Sequence, residues 1–237
     1  MNLEAGQGRI RMARLLVHVE GQTEEEFVNE LLSKHLVQKG FDSVSARIVG
    51  NSQSRSKRLG IKNWESVIKG ITNHLKQDAG WIVSTMVDYY ALPSDWPGRA
   101  NSSQLAHSSK ALHVEQELRA DVEKVVGLDV ASRFVPYVAM HEFEAMLFSD
   151  CSSLSRAIGH PELEWSFQTI RDRFSTPEEI NDSPTTAPSK RIISFFPKYE
   201  FGKPFFANDA VSKMGLARIR SECPHFNSWI TKLESMG

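Results

Sequence analysis

Leu15-Leu16-Val17-His18-Val19-Glu20-Gly21-Gln22-Thr23-Glu24 decides how the chain is read. A short apolar run ends in a carboxylate, a glycine makes the turn, and a helix with strong start signals follows. Thr23 is placed to cap that helix, and Glu26, three residues on, to complete a capping box. The run predicts a strand whose carboxyl end carries Glu20, the edge at which open α/β sheets bind ligands. Glu24 falls in the first helical turn beside it. Two carboxylates on a rigid strand-turn-helix corner make half of a metal site. Taken alone, the corner reads more simply as a carboxylate complementing the helix dipole beside a solvated strand end.

The flanking sequence supplies partners for it. From Thr23 to about Gln38, Phe27, Leu31, Leu32, His35 and Leu36 recur at helical spacing, and Gly40 ends the helix. Val44 to Val49 alternates as a strand does. Trp64, Val67, Ile68, Ile71 and Leu75 mark a second amphipathic helix, and Trp81 to Val87 is a β-rich run ending at Asp88. Strand, helix, strand, helix, strand argues for an α/β sheet. Right-handed crossovers then bring Glu20 and Asp88 to one edge of parallel strands. A further strand, Phe134 to Ala139, runs into Met140-His141-Glu142-Phe143-Glu144, with one of the two acids expected to face the cleft and the other solvent. Ala145 to Phe148 reads as the core face of a short helix. His141 is either a metal ligand or acid-base group, titrating near neutral pH, or a structural histidine beside the core.

Between these elements, Tyr89 to Ser109 is a long loop in which Pro93, Pro97 and Gly98 exclude regular structure. Such loops carry function or are disordered, and Asp95 within this one is in reach of Asp88. Lys110 to about Val126 is a helix. Residues 51–62 hold Arg55, Lys57, Arg58 and Lys62 with no acid, a pattern suited to phosphate contacts or to a solvated loop. Beyond Asp150 strand signals stop, and short helices are expected at about 152–158, 163–173, 190–196, 208–214 and 226–233. The polar segment from Glu178 opens the helix carrying Ser189, Lys190 and Arg191 in its first turn. The dipole disfavours cations there, which points to an acid cluster or a phosphate as their partner, or else to a surface pair.

Composition sets the outer limits. A net charge of −1 excludes a global nucleic-acid signature, so any such contact is local. No apolar run is long enough to span a membrane, and the first residues lack the apolar core of a signal peptide. Cys151 and Cys223 lie far apart without metal-ligand spacing and read as reduced thiols of a cytoplasmic protein. The expected organisation is an irregular extension over 1–13, in which Met12 is an alternative start, an α/β unit over 14–150 and a helical part over 151–237 packed on the same core. Walker A, GxGxxG and HExxH motifs and a nucleophile elbow are missing.

The Val19–Glu24 corner, the strand ending at Asp88 and the later acids resemble a Toprim domain, the metal-binding catalytic domain of topoisomerases, primases and OLD-family nucleases. More closely, Val87 to Asp95, His141 to Ala145, Ile180 to Pro184 and Ser189 to Arg191 resemble a bacterial family of unknown function, number 4276, grouped with Toprim-like proteins; the resemblance runs from about Arg14 to Leu233. It implies a Toprim-like, Rossmann-like α/β fold, a mainly parallel sheet of about four strands flanked by helices, with a helical C-terminal part. It also implies a Mg²⁺- or Mn²⁺-dependent nuclease, acting on DNA rather than RNA and in phage defence with a partner ATPase. The alternatives are a Toprim ribonuclease and a non-catalytic subunit of an ATPase complex. Glu20 and Glu24 match the family's Glu-x-x-x-Glu corner and Asp88 the first acid of its Asp-x-Asp. Tyr90 stands where the second acid belongs, so that either Asp95 supplies the missing carboxylate or a second metal is held more weakly. Glu144, or alternatively Glu142, matches the later acid. Lys190 is the candidate for the family's lysine that supports the phosphate, with Arg191 beside it. On its own residues, the helical second half reads either as a dimerisation or partner surface or as a cover for the sheet.

Overall fold

The computed structural model describes residues 13–49, 61–180 and 186–237. Strand β1 (Ala13–Val19) lies inside a parallel sheet of order β2-β1-β3-β4, with β2 at Phe41–Ile48, β3 at Trp81–Asp88, β4 at Phe134–Val135 and β5, paired to β3 beyond β4, at Val138–Ala139. The fold is α/β with a parallel sheet flanked by helices. Parallel strands are covered on both faces, and the apolar run of β1 serves both. Leu15, Val17 and Val19 join one core, while His18 points to the other face, where a Cβ at Gly70 would lie 3.2 Å from its Cε1.

The last strand is broken for a chemical reason. Pro136 has no N–H and cannot continue a ladder, so β4 and β5 are separate two-residue pieces. Side chains of β3 stitch the gap. Thr85 Oγ1 donates to the Tyr137 carbonyl at 3.1 Å and accepts from its amide at 3.0 Å, while Ser84 Oγ donates to the Val135 carbonyl. Val138 and Ala139 then pair with Val87 and Asp88, which delivers the His141–Glu144 segment to the end of β3.

Helix α1 (Gln22–Phe27) continues through a π-helical turn at Val28–Leu32 into α2 (Ser33–Val37). Its N-cap is Gly21, and Thr23 lies inside the helix. The reciprocal half of a capping box comes from Glu24, whose Oε2 accepts the Gly21 amide at 3.1 Å, whereas Glu26 accepts from Asn208 at 3.2 Å. On the opposite face, α3 (Trp64–Gln77), α4 (His107–Val126) and the short α5 (Leu128–Ala131) pack with Val83, Val87 and Phe134. The 89–109 connection is no free loop, since Tyr89 and Trp96 are buried and Arg99 stacks 4.2 Å over the Tyr89 ring.

Residues 151–237 form α6 (Cys151–Ala157), α7 (Glu164–Arg171), α8 (Pro188–Phe195), α9 (Lys203–Glu222) and α10 (Pro224–Glu234). Helix α9 is far longer than the expected 208–214, and it kinks at Gly215, whose φ of +76° suits glycine. Leu154, Ile219, Phe226 and Trp229 share one core with Leu15, Val17 and Phe27, and the Trp229 indole donates to Ser84 Oγ at 2.9 Å. No helix among the described residues is long and apolar enough to cross a membrane.

Candidate metal centre

Three strand ends and one helix start meet at the carboxyl edge of the sheet. Glu20 follows β1, Asp88 ends β3, Glu24 rises from the first turn of α1, and Glu142 and Glu144 follow β5. Glu24 and Glu144 are 8% and 6% exposed. Phe27, Phe143 and Met146, close to these two acids in the chain, belong to the core. Desolvation penalises the charged form of each acid, and the others add repulsion. Burial, against the Asp88 backbone amide and with repulsion from Glu142 and Glu144, raises the Glu20 carboxyl to about 7. Burial and then Glu20 raise Glu24 to about 8. Asp88 is pushed well above the usual range by burial and then by Glu20, Glu24, Glu144 and Glu142. One oxygen of Glu20, Oε2, is buried without a hydrogen-bond partner.

Only part of this charge is compensated. Lys203 Nζ lies 3.3 Å from Glu144 Oε1, although burial still leaves that carboxyl raised. Glu142 Oε2 accepts the Ser189 amide at 2.8 Å, so the first turn of α8 serves as its anion partner. The buried Tyr199 hydroxyl is pushed well above its ordinary range by burial and then by Glu144 and Glu142.

The expected residues divide accordingly. Glu20, Glu24, Asp88, Glu142 and Glu144 come together. Asp95 does not join them: its Oδ2 accepts the Trp64 amide at 2.9 Å and caps α3 beside Asn63. The reach assumed for the loop is taken up by that helix end. Tyr90 brings no carboxylate; the residue is 53% exposed and its ring stacks on His141 at 5.5 Å and 4°. His141 is 3% exposed, with its Nε2 2.9 Å from His107 Nε2. Burial and then His107 lower it to about 3, so the ring is neutral near pH 7.

Lys190 is partly buried behind Ser189, and among the described residues its ammonium forms no ion pair with the carboxylates. Arg191 donates from Nε to the Thr186 carbonyl at 2.7 Å and lies 5.4 Å over the Phe174 ring. Lys62 is partly buried, and its carbonyl accepts the Trp96 indole at 3.0 Å. Arg55, Lys57 and Arg58 lie outside the described residues. Lys203 was missed by sequence reasoning. Its place at a helix start was hidden because the expected helix began only at about 208, whereas α9 begins at Lys203.

Hard divalent cations take oxygen donors, and clustered carboxylates with an orphaned buried oxygen suit them chemically. Among the described residues, no three His, Cys, Asp or Glu side chains are drawn together as a finished ligand set. The match to such an ion is one of donor chemistry.

Among solved structures, the chain is similar to the C-terminal region of the Burkholderia pseudomallei OLD protein, at 16% identity and a TM-score of 0.42, over 95% of this chain and 99% of that one. Comparison with curated proteins found no match. A model described as domain of unknown function DUF4276 matches residues 19–234, and the chain belongs to that family.

Proposed function

We propose that the carboxylate cluster holds Mg²⁺ or Mn²⁺ and that the protein is a metal-dependent nuclease cleaving phosphodiester bonds, with DNA as the leading substrate and RNA the alternative. The observation that carries this reading is a set of five acids gathered at one sheet edge and short of positive charge, four of which, Glu20, Glu24, Asp88 and Glu144, are raised in pKa chiefly by burial. Such a set destabilises the fold unless a cation enters it. Glu20, Asp88 and Glu144 form the inner donors, and Glu24 and Glu142 complete them.

A divalent ion bound there would neutralise phosphate charge and activate water. The chain's own groups do the rest. Lys203 partners Glu144 in the resting state and is placed to turn to a phosphate oxygen, the role sequence reasoning gave to Lys190. His141, held neutral under Tyr90, donates or accepts a hydrogen bond without adding charge. The buried floor below Glu24 and Glu144 excludes water and strengthens each of these interactions. Family resemblance adds the context of phage defence with a partner ATPase.

A second reading, a non-catalytic subunit of an ATPase complex, is favoured by Tyr90 in place of an acid. Incubating the purified chain with plasmid, single-stranded DNA and RNA, in Mg²⁺, Mn²⁺ or chelator, separates these readings. Metal-dependent cleavage that Glu20→Gln lowers more than about 100-fold supports the nuclease. No cleavage of any substrate, with or without the partner ATPase, would leave the subunit reading in its place.

A further inference from the structure

Three of the four most exposed Phe, Tyr and Trp residues among the described residues are close in the chain to Asp88 or to Lys203, the partner of Glu144: Phe201 (89% exposed), Phe205 (69%) and Tyr90. Each connects to the carboxylate cluster through intervening residues. The buried Tyr199 faces Glu144; its ring is 6.0 Å from that of Phe206, which is 5.4 Å from that of Phe205. Phe201 precedes Gly202 and Lys203, and Lys203 is the residue bonded to Glu144. At the Asp88 end of the cluster, Tyr90 lies flat on His141, which adjoins Glu142.

A phenylalanine in water forfeits the stabilisation that burial would give it. Single exposed apolar residues need no explanation, but three exposed rings on the segments that build one charged site do. A Phe ring has no hydrogen-bonding group and cannot read the edge of a base, yet its face stacks on any base. Bases within a duplex already have both faces covered by their neighbours. Only unpaired bases are free to lie on protein rings.

We infer that the substrate is an unpaired strand, or the unpaired part of a structured nucleic acid. Its bases stack without sequence preference on Phe201, Phe205 and Tyr90 while its backbone passes Lys203 and the acids. This rests on the nucleic-acid reading above and narrows it. Tyr90 thereby acquires a role at the position where a second acid was expected.

The test is fluorescence anisotropy of the full chain with labelled oligonucleotides of about 16 nucleotides. The same sequence is used as single-stranded DNA, as RNA and as duplex DNA, in Ca²⁺ and in chelator. The expected result is tighter binding of single strands than of duplex. The Phe201→Ala/Phe205→Ala double variant should lose about tenfold on single strands and nothing on duplex. Tyr90→Ala should lose less, and Phe201→Trp/Phe205→Trp should bind single strands at least as well as wild type, which a merely structural role would not produce. The DNA and RNA arms identify which strand is preferred.

Equal or tighter binding of duplex overturns the inference. So does a double variant that binds single strands normally, including one that has lost only self-association in sedimentation, since the rings would then be a protein contact. Phe-dependent single-strand binding without any cleavage would sink the nuclease and leave the stacking site standing. Metal-dependent duplex cleavage untouched by the double variant would do the reverse.

Discussion

Two groups of glutamates in this molecule respond to folding in opposite directions. Glu234, near the end of α10, accepts from Arg220 at 2.7 and 3.0 Å and from His35 at 2.6 Å, and Arg220 chiefly, with His35, draws it down to about 2. Glu24 is buried with other acids around it and, although the Gly21 amide donates to it, is driven up to about 8 by burial and then by Glu20. The first arrangement ties α2, α9 and α10 together and is complete as it stands. The second holds surplus charge at the end of the sheet, where the fold alone does not neutralise it. Carboxylates supplied with partners stabilise; those deprived of them are where we propose that a cation from outside binds.

That contrast can be broken at its strongest point by removing a donor. Saturating Mn²⁺ is expected to raise the wild-type Tm by about 5 °C or more and to leave Asp88→Asn unmoved. A metal-induced rise that survives Asp88→Asn in differential scanning fluorimetry would remove Asp88 from the site. Next in size, Arg220→Ala strands Glu234 and should cost about 2 kcal/mol in urea titration; an unchanged midpoint would mean that the clamp holds nothing. Smaller, and opposite in sign, Asp88→Asn in chelator should raise Tm by about 2–4 °C, because repulsion is relieved. A lower Tm would show the acid to be part of the scaffold.

The weakest effect is in the pH profile. Glu20 and Glu24 carry folded pKa values of about 7 and about 8 against an ordinary glutamate value of 4.5, so the metal-free fold binds protons that the unfolded chain releases. Stability in chelator should therefore be greatest on the acid side and fall as pH rises from about 4.5 through 8. Glu234 acts the other way: its contribution is present above about 4.5 and is lost as pH falls towards 2. Chemical denaturation across this range, with Glu234→Gln as the control, separates the two slopes. A flat metal-free profile between pH 5 and 8 would contradict the raised carboxyls.

The acids at the ends of β1, β3 and β5 were legible because each strand is an apolar run that stops at its carboxylate. Parallel order followed from the helices between them. What escaped was decided by contacts distant in sequence. Asp95 looked free because nothing near it in the chain shows that the amide of Trp64 needs an acceptor. Gly21 took the cap from Thr23 because Glu24 bonds back to its amide, a choice local propensity does not resolve. Lys203 reaches Glu144 only through the packing of α9 against the residue 143–149 turn, more than fifty positions earlier. Pro136 was visible, but the threonine that spans its gap lies on another strand.

The π-helical turn at Val28–Leu32 has a consequence for assembly. It contains Asn29, whose Oδ1 accepts the Ala46 amide at 3.1 Å on β2, the outer strand of the sheet. Glu115 Oε1 takes the Val138 amide of β5 at 2.8 Å on the opposite side. Each rim of the sheet thus has an outward donor occupied by its own side chain. Copies of this chain are discouraged from joining edge to edge into a continuous sheet, the route by which open strands aggregate.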